Sequence, residues 1–317
     1  MRQRAVKQLG LLDGLAAKVP GNEFLERLET LVDWAPLLRE LEALFTATTG
    51  RLPRPPLVVF KMLLLQHCYG LSDPQCEELV GDRLSWRRFV GLGLDEPVPD
   101  ETTLVRFRQR LVQAGLHQRL LGLVNDQLEE RGLILKRVTL VDATLLQAAR
   151  RAPGKGSSSG GDPGAGHTVK NGQPHYGFKA HVAVDEEHTL IRKAELGPAS
   201  EHDSRRFEDV VGGDEQMVVA DKAYWSRERS AWLDERKIEN GILRRGARNR
   251  PLGEPAHRLN RFLSGVRARI EGVFGHWKRS LGYRRVRYLG LLRNRLELEF
   301  KCVVWNLRRW ENLAATA

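Results

Sequence analysis

Apolar residues recur at helical spacing through the first 135 positions and give way to strand-like runs after Gly132. Residues 25–45 carry Leu28, Leu31, Val32, Ala35, Leu38, Leu41, Leu44 and Phe45 close to a 3.6-residue period, which predicts an amphipathic helix. Pro53, Pro55 and Pro56 break the chain. The apolar run over 57–69 then predicts a helix central to this part. Gly70, Ser72 and Asp73 supply a turn and a cap for a further helix from Gln75, and residues 85–89 add a short basic turn. Such a succession fits a helix-turn-helix and equally an ordinary helical bundle. Asp100-Glu101-Thr102-Thr103 caps a helix over 104–111, and a long amphipathic helix follows over 116–131, ended by Gly132.

Beyond Gly132 strands alternate with helices, which predicts an α/β domain over 136–317 behind an all-helical domain over 1–135. Residues 138–145 are β-branched and apolar with a single carboxylate, Asp142, inside them. A buried carboxylate is costly unless a donor, a cation or a metal ion pairs with it. Residues 150–175 are rich in Gly, Ser and basic side chains, and predict a flexible basic loop that could also order on a polyanion. Residues 176–185 alternate as a half-buried strand, and 190–196 form the next strand of a meander. A helix over 200–211, a second apolar strand ending in Asp221, a helix over 227–237, a short strand over 241–243 and helices over about 259–281 and 291–312 complete the order.

Composition narrows the partners. The chain is 41% hydrophobic and 29% charged, the balance of a soluble globular protein. Fifty-one Lys and Arg against 40 Asp and Glu give a net charge of +11, which favours a polyanion, most simply nucleic acid. Arg106 and Arg110 share a helix face at i, i+4, where they could meet DNA phosphates or form a solvated face. No apolar run has the ~18 residues of a membrane span. Cys68, Cys76 and Cys302 fit a reducing cytosol and give no zinc spacing; His67-Cys68 reads as core.

Three strands, a helix, a strand, a helix and a strand follow the order of a ribonuclease-H-like domain. In that topology the strands of Asp142 and Asp221 lie side by side. Hard cations such as Mg²⁺ take such carboxylate oxygens. Glu271 supplies a third acid: Arg267, Glu271 and Lys278 fall within roughly 40° of one line along a helix. By itself that row is an ordinary surface ion-pair pattern.

The set resembles the bacterial insertion-sequence transposases of the DDE class over nearly the whole chain. The resemblance rests on residues 99–108, Val141-Asp142-Ala143-Thr144, residues 176–181, His202-Asp203-Ser204, Ala220-Asp221-Lys222-Ala223-Tyr224 and the helix from Arg267 to Lys278. One departure is Ser264, where a tyrosine is often found three residues before the arginine. The resemblance implies catalytic and metal-binding roles for Asp142, Asp221 and Glu271, with two Mg²⁺ ions (Mn²⁺ able to substitute). It implies DNA contacts through Arg267 and Lys278, to which Lys222, Lys179, Arg106 and Arg110 are added. It also implies cutting at terminal inverted repeats, joining to target DNA, and a dimer or larger assembly when ends are paired. The expected location is the bacterial cytoplasm, on the nucleoid, with no membrane. Trp225 and Trp277 could stack on an unpaired base, although core packing is the commoner use of tryptophan. A catalytically silent DNA-binding derivative and a stand-alone nuclease are the alternative readings.

Overall fold

The computed structural model describes residues 21–45, 54–154, 160–246 and 251–316. They fall into two compact units, Met1–Arg110 and Leu111–Ala317.

The first unit is helical. Helices α1 (Glu23–Leu31) and α2 (Ala35–Glu42) replace the single predicted helix over 25–45. The break has a local cause: the Asp33 carboxylate accepts from the Ala35 N–H at 2.9 Å, and Pro36 opens α2. Helix α3 (Pro56–Tyr69) is buried continuously from Val58 to Cys68, and α2, α4 (Asp73–Asp82) and α5 (Leu84–Val90) pack on it. Lys61 lies in that core; its ammonium pairs with Glu29 at 2.6 Å and stands 4.5 Å from the Trp34 ring centre. Ser72 and Gln75 form the capping box of α4. In α6 (Glu101–Gln113), Asp100 caps Thr103 N at 2.7 Å, and the buried Arg108 holds Asp73 through both guanidinium nitrogens at 2.8 and 2.5 Å. Arg106 and Arg110 face outward, Arg110 lying 4.6 Å from the Phe45 ring centre.

The second unit begins with helix α7 (Leu120–Glu130), after which Gly132 turns the chain at φ 67°. Among the described residues six strands form one mixed sheet: β1 (Val138–Gln147), β2 (Gly166–Lys170), β3 (Gln173–Asp185), β4 (Ile191–Pro198), β5 (Met217–Ala220) and β6 (Glu239–Ile242). Strand β3 pairs antiparallel with β1 and β4, while β1, β5 and β6 run parallel. With β2 set aside, the order β4-β3-β1-β5-β6 is that of a ribonuclease-H-like sheet. One face packs Val141, Ala183, Val218, Ala220 and Ile242 against Phe207 and Val210 of α8 (Phe207–Val210) and Leu233 of α9 (Arg227–Glu235). The long helices α10 (Glu254–Arg279) and α11 (Leu291–Thr316) pack on β1 and β4 respectively. Trp277 of α10 and Trp310 of α11 are fully buried, and truncating such a residue to alanine costs about 3–5 kcal/mol.

The predicted loop over 150–175 is corrected in its second half. Residues 155–159 lie outside the described residues, but Gly166–Lys170 is strand β2, paired with the start of β3. The pairing is closed by Asn171 and Gly172 at φ 51° and 74°, a two-residue turn of the kind that needs two positive φ angles. That hairpin satisfies its backbone through β3, which an isolated Gly- and Ser-rich segment could not. The helix expected over 200–211 is also shorter. It is a 3₁₀ turn, Asp203–Arg206, followed by one turn of α8.

Buried polar groups tie α11 to the rest of the unit. Asn306 accepts from Ile191 N at 2.8 Å and donates to Asn125 Oδ1 at 2.7 Å. Glu299 accepts from Leu121 N at 2.7 Å, in the first turn of α7. Burial pushes the Glu299 carboxyl up to about 8, against an unfolded value near 4.3. Between those limits the unfolded chain has released a proton that the folded chain keeps. Stability therefore falls as pH rises through that window and levels off above it. Glu299→Gln retains the acceptor for Leu121 and removes the titration. Thermal unfolding across about pH 5–8 should show a declining midpoint in the parent and a flatter profile in the variant. Parallel profiles would mean that Glu299 is ionised in the folded protein.

Candidate active site

Strand register brings the first two acids together. Val141 of β1 pairs with Ala220 of β5 in the parallel ladder, so Asp142 and Asp221 follow on adjacent strands at the same level. Strand spacing at that level is about 4.8 Å. Asp142 accepts from Ala143 N at 2.8 Å and Asp221 from Lys222 N at 2.7 Å, so each carboxylate is oriented by its own backbone. Burial holds the Asp142 carboxyl above the usual carboxylate range. Arg267 and the Ala143 N–H pull it back, while the Asp221 charge adds to the rise.

The third acid stands on α10, which packs against β1 and β5. The Arg267 guanidinium bonds Asp142 Oδ2 through Nη1, and its Nη2 lies 3.9 Å from Glu271 Oε1. Asp142 and Arg267 side chains are 20% and 19% exposed, whereas Glu271 is 65% exposed. Two of the three acids, Asp142 and Glu271, thus flank a guanidinium, with Asp221 on the strand beside Asp142. Among the described residues no three His, Cys, Asp or Glu side chains form a ready metal cluster. Arg267 Nε is buried without a hydrogen-bond partner, so this pose leaves one of its donors unused.

The remaining candidates scatter. Lys278 is half-buried on the same helix; burial, then Lys170 and Arg284 beside it, lower its pKa. Lys222 is exposed next to Asp221. Lys179 is turned inward, paired with Asp203 at 2.6 Å and donating to Glu201 O at 2.8 Å. Arg106 and Arg110 belong to the helical unit. Trp277 is core, while Trp225 is 46% exposed.

Sequence reasoning overlooked three neighbours of the acid pair. Lys170, at the hairpin tip, acts electrostatically on both Asp142 and Lys278; the Asn171-Gly172 dipeptide was its signal. His181 and Tyr224 approach to 3.4 Å on the other face of the sheet. Burial depresses His181 to about 4 and raises the Tyr224 phenol, with Asp203, Asp142 and Asp221 adding to the latter. Both therefore stay neutral near pH 7. They stand in the motifs of residues 176–181 and 220–224, where only their neighbours drew attention.

Topology and acid placement together define the class as a ribonuclease-H-like α/β domain with carboxylates at the β1–β5 junction. Residues 134–307 match the family model described as Transposase DDE domain, and residues 14–110 match Transposase domain (DUF772). The first match alone spans more than half of the chain, and the chain belongs to the DDE transposases. Among solved structures it is similar to a piggyBac transposase synaptic complex with hairpin DNA. That match has TM-score 0.44 and 10% identity, covering 95% of this chain and 77% of that one. It is also similar to a pre-cleavage Mos1 transpososome, with TM-score 0.21 and 11% identity, covering 86% and 82%.

The Asp142–Arg267 contact can be measured by a double-mutant cycle. Asp142→Asn, Arg267→Gln and the double variant should give a coupling energy between about 1 and 3 kcal/mol in thermal or urea unfolding without divalent cations. Additive single effects would show that the pair does not form in solution.

Proposed function

We propose that this protein is an active DNA transposase that cuts at the inverted-repeat ends of an insertion sequence and joins them to target DNA. The observation that carries the proposal is the β1–β5 register, which sets Asp142 beside Asp221 under a helix bearing Glu271. Members of the family generally use divalent metal ions.

The residues present fit such an ion. The donor set is three carboxylates, the hard oxygen ligands that Mg²⁺ takes. The Arg267 guanidinium already stands as a cation between Asp142 and Glu271. Asp142, Asp221 and Glu271 would hold two Mg²⁺ ions, which when bound supply an activated water or 3′-hydroxyl and a counter-charge for the leaving 3′-oxygen. The chain's own groups do the rest. Ala143 N and Lys222 N fix the rotamers of the two strand acids. Arg267, released from Asp142, and Lys278 hold phosphates along α10, with Lys222 beside Asp221. Lys170, from the hairpin, adds to this basic rim. Lys179 contributes by fixing Asp203 and Glu201 unless its ion pair opens. In this reading end recognition lies within residues 1–135, with Arg106 and Arg110 of the helical unit on phosphates, and residues 136–317 carry the catalytic acids. Paired ends require at least two copies of the chain.

Cleavage and joining of a labelled terminal repeat in Mg²⁺ tests the reading. Asp142→Asn, Asp221→Asn and Glu271→Gln should each lower both steps by about 10³-fold or more, with end binding retained. Specific binding with no cutting by the parent would instead mark a repressor. Cutting without joining would mark a nuclease. Arg106→Ala with Arg110→Ala should weaken end binding across sequences and lower its salt dependence by about two phosphate contacts.

A further inference from the structure

Asp142 and Asp221 are held in different ways. Strand β1 continues to Gln147, so Asp142 lies within the ladder, with Val182 of β3 as its cross-strand partner. Strand β5 ends at Ala220, one residue short of Asp221. The second acid therefore leaves the sheet where its position matters, and a neighbouring carboxylate pushes it away. What holds it is the 3₁₀ turn that follows. Asp221 caps that turn, and Tyr224 N donates to Asp221 O at 2.9 Å.

Tyr224 is fully buried and fastened from three sides. Its carbonyl accepts from Arg229 Nη1, and Nη2 of the same guanidinium donates to Ser204 O at 2.6 Å. Arg229 is itself buried, its Nε on Glu208 at 3.1 Å. The Tyr224 ring lies 5.8 Å from that of Phe207, centre to centre. The hydroxyl reaches His181 Nδ1 at 3.4 Å. His181 is paired across the sheet with Ala143, the residue after Asp142. The phenol thus links the turn after one acid to the strand beside the other, with β1 between them. Two strand spacings, about 10 Å, separate β3 from β5.

The His181–Tyr224 pair is a poor choice for stability alone. His181 is completely buried, its Nε2 has no hydrogen-bond partner among the described residues, and its contact with Tyr224 is long. An apolar pair of similar shape would leave no buried nitrogen unsatisfied. A polar exception of this kind calls for a reason other than packing. Its placement supplies one, because it joins the two elements that carry the strand acids.

We infer that Tyr224 is a positioning residue for Asp221, tied through its hydroxyl to His181 and through its carbonyl to Arg229, and that this tie sets the span between the two strand acids. The inference rests on the reading of those acids as the metal-holding pair of a DNA-acting centre. The tie touches neither DNA nor ion. It acts on how well two carboxylates share a cation.

Mn²⁺ is the probe, its free and bound forms counted by electron paramagnetic resonance with the full chain and no DNA. The parent should bind Mn²⁺, and Asp142→Asn should lose that binding. Tyr224→Phe, which removes only the hydroxyl, and His181→Leu should each weaken it by about 10-fold, the lower end of what outer partners of a metal site contribute. The double variant should be no weaker than either single one, because both cut the same link. His181→Asn, whose amide stands about where Nδ1 does, should restore most of the affinity. In DNA cleavage, Tyr224→Phe should need correspondingly more Mg²⁺ for half-maximal rate, with KM for the DNA end unchanged. Val304→Ala, a buried change in α11, controls for lost stability: it should lower the unfolding midpoint and leave Mn²⁺ binding as in the parent. The same Mn²⁺ affinity or Mg²⁺ requirement in Tyr224→Phe as in the parent, or an equal loss in Val304→Ala, overturns the tie and leaves the DNA-acting reading standing. If the parent neither binds more Mn²⁺ than Asp142→Asn nor cuts DNA, both fail.

Discussion

A carboxylate in the middle of a buried strand must be compensated, and the catalytic-type unit is arranged around that requirement. Asp142 sits between apolar neighbours, one register step past a pair of fully buried residues, Val141 and Ala220. Moving its charge out of water is expensive, and a second carboxylate on the next strand makes it more so. The molecule answers with a cation on a separate element. Arg267 reaches from α10 to Asp142, and the helix is thereby held across the junction of β1 and β5. Whatever replaces that guanidinium must bring at least equal positive charge.

Two different surfaces follow from the same sheet. The acids emerge on the face covered by α10. His181 and Tyr224 face the side packed by α8 and α9, where burial keeps both uncharged. The parallel strands end at an edge that carries the exposed Trp225, Arg244 and Arg245. Charge is thus sorted by face: acids where α10 supplies counter-cations, neutral polar groups within the core, and exposed arginines at the rim.

Much of this was legible in the sequence because it followed from periodicity. The strand with Asp142, the strand ending before Asp221 and the long helix bearing Glu271 were all set by patterns of apolar residues. Their convergence needed topology as well, which the order of elements supplied. Local polar competition was harder to read. Asp33 and Pro36 divide an apparently continuous helix because a side-chain oxygen captures a backbone N–H. Gly-rich composition around residue 160 concealed a hairpin whose only advertisement was Asn171-Gly172. Arg267 was legible as a cation on the right helix face. Its bond to Asp142 was not, because one-dimensional spacing carries no information on what a helix faces across a sheet. Trp225 and Trp277 were named together as possible stacking residues, and only packing separates them: Trp277 is buried and Trp225 is exposed.

Helix α11 closes the second unit from far along the chain. Asn306 meets Asn125 and Ile191 across separations of 181 and 115 residues, and Glu299 meets Leu121 across 178. Until that helix has been synthesised and docked, the backbone N–H groups of Ile191 and Leu121 lack their buried acceptors. A product interrupted by a stop codon or frameshift before residue 291 would therefore expose one side of its sheet and go to proteolysis. Chains shortened before residue 291 should consequently accumulate to lower levels than the full-length protein, whatever their helical first unit retains.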